Sequence, residues 1–598
     1  MAGLTGLEKE VWEQVFAKGT MLEMREEVVK HEGEAAHFKG VKMKVFPNGF
    51  QTMEDIFKVP FEKQVMKNDL LVDETGRMTF QEVFDAAAAL GDALVNEYGV
   101  KKGDRVVALS KNRNEYIVAM IAATSVGAIF APLNSYWKTE QLSYGLDDSG
   151  AKVVVCDADR YVQLEPLLDG RASALERVLL LSGPGTEKFR PNAKTTAFDE
   201  VISKHAGAKM PPFPCQKDDP AMIMYTSGTT GNPKGVVLTH RSIGEAMTGA
   251  VAAMTYEKTL AAARAGETLP EPEDPSLSAF LLGVPLFHVT GHHCVGLLSI
   301  ISCRKIVLMS KWDPKLALEL IETERITNFT GVPTMALDLM THPDFKKRDT
   351  STLKSLGGGG AAPPSTMVND IDKNFKQASP LQAWGMTETN GIATITEGDM
   401  YRRKPDSCGK AIPNVEIAIW NARDEPVPAG AEGELVIRGS TCLKEYWNKP
   451  EATAKSITAE GWFRTGDIGV IDEEGFLQLK GRSKEIIIRG GENISCVVVE
   501  NAVYKHDDIN EVAAIPVPHP TLGEEVGIAV FSQSGARPSL QSIRDVCVNL
   551  ARYEMPTHLY FWPEQLPRGD TGKIHKRTIL ADIKAGKVKD EAVPASKL

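Results

Sequence analysis

Residues Asp104–Asn134 read DRVVALSKNRNEYIVAMIAATSVGAIFAPLN. The stretch opens on a short β-branched run, DRVVALS, passes into a helical pattern, NRNEYIVAMIAATSVGA, and leaves through a second short apolar run, IFAPLN; AKVVVCDAD (Ala151–Asp159) then supplies a third. Short β-rich runs alternating with helical segments predict α/β layers with substantial parallel sheet, because parallel strands need a crossover and a helix commonly provides it. SAFLLGVPL (Ser278–Leu286), KIVLMS (Lys305–Ser310) and ITNFTGVPT (Ile326–Thr334) repeat the theme. Loops leaving the ends of such strands are where ligands usually bind. The most apolar stretch, Ile117–Leu133, contains Thr124, Ser125, Gly127 and Pro132 and is short for a bilayer, so a packed helix and its exit strand are expected there.

The bulk properties fit that class. At 598 residues, 42% hydrophobic and 25% charged, the chain is long enough for roughly three or four structural units. Its net charge of -11 argues against a generic nucleic-acid binder, which needs a basic face to displace counterions from phosphate. The eight cysteines are scattered and contain no C-x-x-C pair, which suggests neither a zinc knuckle nor a disulfide framework and points to a reducing compartment. The start, MAGLTGLEKEVWEQVF, is charged where a secretory signal would be apolar. The last three residues, Ser596-Lys597-Leu598, form a receptor-read peroxisomal address, so the matrix of that organelle and its import receptor are expected.

The chain changes character near residue 480. Gly481-Arg482-Ser483-Lys484 is a polar break before EIIIRGG, after which CVVVENAVYKH, EVAAIPVP and GIAVFS make a small α+β pattern of domain size. Residues 1–50, and Glu257–Pro275 (EKTLAAARAGETLPEPEDP, an Ala-rich helix pattern ending in an acidic loop), read as surface additions.

Tyr225–Gly235 reads YTSGTTGNPKG. Its order is G-x-x-G-x-x-K-G from Gly228, not the G-x-x-x-x-G-K-[ST] of a triphosphatase loop. The N–H groups of Gly228–Gly231, the hydroxyls of Thr226, Ser227, Thr229 and Thr230, and the Lys234 cation together suit a polyphosphate; a bare Ser/Thr/Gly run is more often a solvated loop. His288, His292 and His293 invite a metal reading, but there is no H-E-x-x-H and no acidic third ligand, so His292 and His293 read as packing or loop residues.

Taken in order, YTSGTTGNPKG, VPLFHVTG (Val284–Gly291), GGGGAAP (Gly357–Pro363), WGMTET (Trp384–Thr389), GWFRTGD (Gly461–Asp467), GRSKEIIIRGGENIS (Gly481–Ser495) and LPRGDTGKIHKR (Leu566–Arg577) resemble the adenylate-forming superfamily of acyl-CoA synthetases, luciferase and adenylation domains, and most of all a peroxisomal acyl-CoA ligase. The resemblance covers about residues 50 to 580. It implies a large multi-sheet domain over 51–481, a hinge at 482–484 and a small mobile α+β domain over 485–598. It also implies an enzyme that activates a carboxylate with ATP and Mg²⁺ to an acyl-adenylate, releases pyrophosphate, and transfers the acyl group to CoA.

Residue by residue, the resemblance places Thr226–Lys234 on the β- and γ-phosphates, Trp384 with Gly385 and Met386 against adenine, Thr387 at the α-phosphate, and Glu388 on Mg²⁺. Gly358, Gly359, Gly360 and Ala361 would let the backbone approach the base, Asp467 would accept from the ribose, and Arg482 would reach the nucleotide. Lys573 would be the catalytic lysine and Lys484 the pivot. His288, Gly331, Thr334, Gly490 and Gly491 would border the acyl and CoA channels. Val498, Glu554 and the Gly569-Asp570 pair depart from the common pattern at the C-terminal interface. A medium- or long-chain fatty acid is the first expectation for the acid, and an aromatic or specialised-metabolite acid the second. Luciferase-type chemistry is disfavoured by VPLFHVTG, and carrier loading by the lack of a carrier segment after residue 577.

Overall fold

The computed structural model describes residues 6–29, 40–168, 174–183, 193–212, 215–226, 232–268, 274–364, 366–482 and 485–591. The expected hinge lysine Lys484, the loop residues Ser227, Gly228, Thr229, Thr230 and Gly231, and the terminal Ser596-Lys597-Leu598 lie outside them.

The alternation around Asp104 becomes an eight-stranded sheet. Arg105–Leu109 runs parallel to Ile129–Pro132 on one side and to Ala151–Asp157 on the other. The sheet continues through Arg177–Leu181 to Thr195–Ala197 at one edge. At the other it passes through Pro220–Thr226 and the antiparallel Lys234–Thr239 to the short edge strand Glu445–Tyr446. The helix between the first two strands, Asn114–Ser125, is buried on nearly every face, as a helix apolar all round must be. It lies in a core shared with a second, nine-stranded sheet, and the Tyr116 hydroxyl donates to the Leu286 carbonyl at 2.9 Å.

In that second sheet Lys305–Leu308, Ala279–Leu282, Asn328–Gly331, Ser355–Gly359 and Ser379–Trp384 are parallel neighbours in this order. Segments 284–294, 331–335, 359–361 and 385–393 all leave the same, C-terminal ends of adjacent strands. The close approach dictates glycine at two points: a Cβ on Gly357 would lie 1.9 Å from the Leu381 carbonyl oxygen, and one on Gly358 would lie 1.8 Å from that of Gly331.

A four-stranded antiparallel sheet, Val415–Trp420, Glu432–Gly439, Phe463–Ile471 and Leu477–Arg482, completes the large part of the chain. Beyond residue 485 a five-stranded sheet carries Ile486–Arg489, Glu492–Ser495, Glu511–His519, Gly523–Phe531 and His558–Phe561 around its own apolar core, with the helix Cys496–Val503 packed on it. The molecule thus has the expected mixed α/β build, a large N-terminal domain and a smaller C-terminal one.

Two expectations about surface additions need correction. Residues 41–50 are core: Met43, Val45, Phe46 and Phe50 are buried, and both oxygens of the buried Glu245 carboxylate accept from the Phe46 N–H at 3.1 and 3.2 Å. The alternation of VKMKV is the signal for this, since period two puts Met43 and Val45 on one face. Glu257–Ala265 is no appendage but the end of the 26-residue helix His240–Ala265, whose Leu260 packs on Val11 and Val15 of the helix Gly6–Val15. Residues 269–273 are outside the description. Among the described residues no helix is long and apolar enough to cross a membrane.

Candidate active site

Four structural units converge where the strand-end loops meet. From the eight-stranded sheet, Thr226 and Lys234 face each other as cross-strand partners at the mouth of the hydroxyl-rich loop. The next strand brings Tyr446 alongside, with the Lys234 ammonium 4.2 Å above its ring. From the nine-stranded sheet, the turn after Ser379–Trp384 carries Thr387 and Glu388 in a short 3-10 helix. Glu388 is buried, and its Oε1 accepts the Tyr446 hydroxyl at 2.9 Å. Burial raises the Glu388 pKa, opposed by that hydroxyl and by the charges of Lys234 and Arg482.

The four-stranded sheet supplies the next pair. Asp467 and Arg482 are cross-strand partners, and their side chains form an ion pair at 3.1 Å. The buried Trp384 indole donates to the other Asp467 oxygen at 2.8 Å. Burial lifts the Asp467 pKa; Arg482 and the indole hold it back. Trp384, Asp467 and Arg482, far apart in sequence, thus form one connected chain.

Lys573 comes from the C-terminal domain. It sits in a loop closed by Gly569 N–H donating to the Lys573 carbonyl at 2.8 Å and His575 N–H to the Pro567 carbonyl at 2.7 Å. Its Cε and Nζ lie 3.2 Å from where a Gly360 Cβ would stand, so the ammonium rests against the exposed Gly360–Ala361 turn. Burial, then repulsion from Arg482, pushes its pKa down to about 8, while Asp467 and Glu485 act in the opposite sense.

The docking that holds the lysine there is not legible as a motif. Arg568 forks onto the buried Asp338 at 2.8 and 3.0 Å and also pairs with Glu511. Asp338 further accepts from Trp312 and Gln565, each at 2.9 Å. Asn134 donates to Asp570 at 2.8 Å, and Thr334 to the Gly572 carbonyl at 3.0 Å. Thr334, expected beside the acyl and CoA channels, here binds the lysine loop. A cleft of about 260 Å³ remains between this loop and the Pro285–Phe287 segment.

Within reach of the Lys573 charge stands His288, with Phe287 at a ring separation of 4.6 Å. Burial and then the Lys573 charge push its pKa down to about 3. Gly331, whose carbonyl lies over Gly358, forms part of the same wall. Gly490 and Gly491 are not brought here: they form the exposed turn of the hairpin Ile486–Ser495, with Gly490 N–H donating to Leu522 within the C-terminal domain. Sequence reasoning missed Tyr446, Asp338 and Arg568, because each acts through a partner that no local pattern announces.

The donors fit a hard cation only in part. Glu388 is one buried carboxylate, and among the described residues no group of three or more His, Cys, Asp or Glu side chains is placed to hold a metal ion. That matches Mg²⁺, which commonly takes one or two carboxylates and draws its other ligands from phosphates and water.

Comparison with known proteins agrees with this geometry. Residues 59–447 match the AMP-binding enzyme family and residues 498–573 the AMP-binding enzyme C-terminal domain. The long-chain-fatty-acid–CoA ligase FadD13 of Mycobacterium tuberculosis (strain ATCC 25618 / H37Rv) is 33% identical over 505 residues, 84% of this chain and 92% of that protein. A feruloyl-CoA synthase of Amycolatopsis sp is 31% identical over 501 residues, 83% of this chain and 92% of that one. The crystal structure of the anthranilate CoA ligase AuaEII in complex with anthranoyl-AMP superimposes with a TM-score of 0.78 over 90% of this chain and 98% of that one, at 23% identity, a likeness of fold. The chain belongs to the AMP-binding enzyme family. Within it, this protein is an acid–CoA ligase, an ATP-using, AMP-forming enzyme of the acyl-CoA synthetase kind.

Proposed function

We propose that this ligase joins a medium- or long-chain fatty acid to CoA through an acyl-adenylate, with Lys573 serving the first step. The observation that carries the assignment is the Lys573 side chain resting on the Gly360 turn, near enough to the Trp384–Asp467–Arg482 chain to feel both charges.

In the first step a carboxylate oxygen attacks the α-phosphorus, a carbon–oxygen–phosphorus bridge forms, and the α–β phosphoanhydride bond breaks to release pyrophosphate. Carboxylate and phosphate both carry negative charge and repel. The Lys573 ammonium between them offsets that repulsion most where charge concentrates, in the transition state. Trp384, Gly358–Ala361 and Gly385–Met386 border adenine, Asp467 and Arg482 the ribose, Thr387 the α-phosphate, and Thr226–Lys234 the departing pyrophosphate. Glu388 would hold Mg²⁺, which neutralises phosphate charge when bound. In the second step the CoA thiolate attacks the acyl carbon and AMP leaves. The C-terminal domain turns about Lys484 for that step, withdrawing Lys573 and presenting Gly490–Gly491. The exposure of that turn while the lysine loop is docked supports this order.

The apolar side chains of Val289, Val332 and Ile392, all buried in the segments that leave the strand ends around His288, favour a fatty acid. The tilted Phe287–His288 ring pair favours an aromatic acid as the second reading. A panel of carboxylic acids with ATP and CoA, read by mass spectrometry for acyl-CoA, tests both; AMP release without any thioester contradicts them.

Ser596-Lys597-Leu598 supports a last part of the proposal, import into the peroxisomal matrix. A fluorescent fusion is expected to form puncta that vanish when the tripeptide is removed; identical diffuse signals from both fusions would contradict it.

A further inference from the structure

The segment after His288 is wound as a π-helix over Thr290–Leu297, a geometry that collects at functional sites. It packs against the turn that follows Glu388: a Cβ on Gly391 would lie 2.8 Å from Cys294 Sγ and 3.3 Å from Val289 Cγ2. His292, His293 and Asn390 are at most 1% exposed. Both ring nitrogens of His292, both of His293, Nε2 of His288 and Oδ1 of Asn390 are buried without a hydrogen-bond partner among the described residues.

Buried polar atoms are overwhelmingly paired, and each exception needs an explanation. Elsewhere in the molecule such exceptions are single atoms in separate residues; here six gather in two touching segments. His292 is enclosed by the rings of Tyr116 and Phe130, at centroid separations of 5.9 and 6.1 Å, and faces the core. His293 sits beside Asn390, whose amide favours the protonated imidazole without a well-formed hydrogen bond between them. His293 lies in the π-helix that follows His288, five residues beyond the ring that feels the Lys573 charge.

The geometry points to a hydroxyl-recognition site in the acyl wall: His293 and Asn390 receive a hydroxyl carried part-way along an otherwise apolar acid. This rests on the acid–CoA ligase reading above and deepens it. Burial pushes the His293 pKa down to about 3, so the ring is neutral at physiological pH and offers one N–H and one bare nitrogen. The Asn390 amide nitrogen is already engaged with the Thr441 carbonyl at 2.8 Å, which fixes its oxygen as the free acceptor. A hydroxyl satisfies both partners at once, accepting from the imidazole N–H and donating to Oδ1. A second carboxylate or an ammonium does not fit, since these two neutral groups supply no counter-charge. The same chemistry occurs on a hydroxylated fatty acid and on a ring-hydroxylated aromatic acid.

The test is kcat/KM for two matched pairs: cinnamate against para-hydroxycinnamate, and a saturated fatty acid against its mid-chain hydroxylated counterpart. A site built to bond a hydroxyl penalises the analogue that lacks it. The wild-type enzyme is therefore expected to prefer the hydroxylated member of one pair by about tenfold or more, and the pair that shows it identifies the source. In His293→Leu that ratio falls toward one, and in His293→Gln, which retains a donor and an acceptor, it is partly restored; thermal melts show that the variants fold. Turnover of both pairs by the wild type with no preference for a hydroxyl overturns the inference, the histidine then contacting ordered water only. A preference that His293→Leu and His293→Gln leave unchanged overturns it equally. Acyl-CoA from no acid at all overturns the ligase reading and this one with it.

Discussion

On the nucleotide side of the cleft the charged groups are already partnered. Asp467 has Trp384 on one oxygen and Arg482 on the other, while Glu388 has the Tyr446 hydroxyl and Lys234 lies over the Tyr446 ring. In the segment that follows His288, the ring nitrogens of His292 and His293 make no well-formed hydrogen bond among the described residues. A ligand seen by every turnover can meet groups held at fixed positions beforehand, which saves reorganisation during the reaction. On the proposal made above, the acyl wall is completed by its substrate, and the choice of acid is then open to change without disturbing the ATP machinery.

Lys573→Ala cuts deepest into this division. One charge pair at about 4 Å and an effective dielectric near 20 is worth roughly 4 kcal/mol, so adenylate formation should fall by about three powers of ten. Thioester formation from preformed acyl-AMP should be largely spared; equal loss of both steps, measured separately, would place the lysine elsewhere.

Asp467→Ala strips the partner from both Trp384 and Arg482. Hydrogen bonds to charged groups are worth about 2 kcal/mol, so kcat/KM for ATP should drop roughly thirtyfold, alike for every acid. A loss that varies strongly between acids would blur the boundary between the two sides.

Acidity offers a third handle. In the proposed first step Lys573 works as its ammonium, and burial pushes its pKa down to about 8. Raising pH through that value removes the proton, so kcat/KM for ATP should fall about tenfold per unit above it. A flat profile to high pH would show that the lysine keeps a normal pKa. The gentlest change is Tyr446→Phe, which removes one hydroxyl from Glu388: about 1 kcal/mol, or roughly fivefold in kcat/KM for ATP. Isothermal titration with ATP and Mg²⁺ should show the corresponding weakening, and unchanged binding would mean that Glu388 needs no orienting partner.

The parallel sheets were legible from Asp104 onward because buried strands announce themselves as short apolar runs, and RVVAL, IFAP and AKVVVCD each became one. Trp384, Asp467, Arg482 and Lys573 were legible as motif positions, yet nothing local foretold the bond from the Trp384 indole to Asp467. Tyr446 stood unmarked because its role depends on strand pairing with Val236, more than two hundred residues away in sequence. His292 and His293 read as packing residues, since a pair of histidines on an apolar segment carries no sign of whether its nitrogens find partners. Residues 41–50 were misjudged for the opposite reason: their lysines drew attention from an alternation that buries Met43 and Val45.

The most direct measurement is isotope exchange between pyrophosphate and ATP in the wild-type enzyme, followed by AMP release on adding CoA. Exchange that requires the acid and proceeds without CoA, with AMP and acyl-CoA then released one for one when CoA is supplied, is the predicted result. Exchange independent of the acid, or AMP released with no thioester, would contradict a two-step ligase built around Lys573.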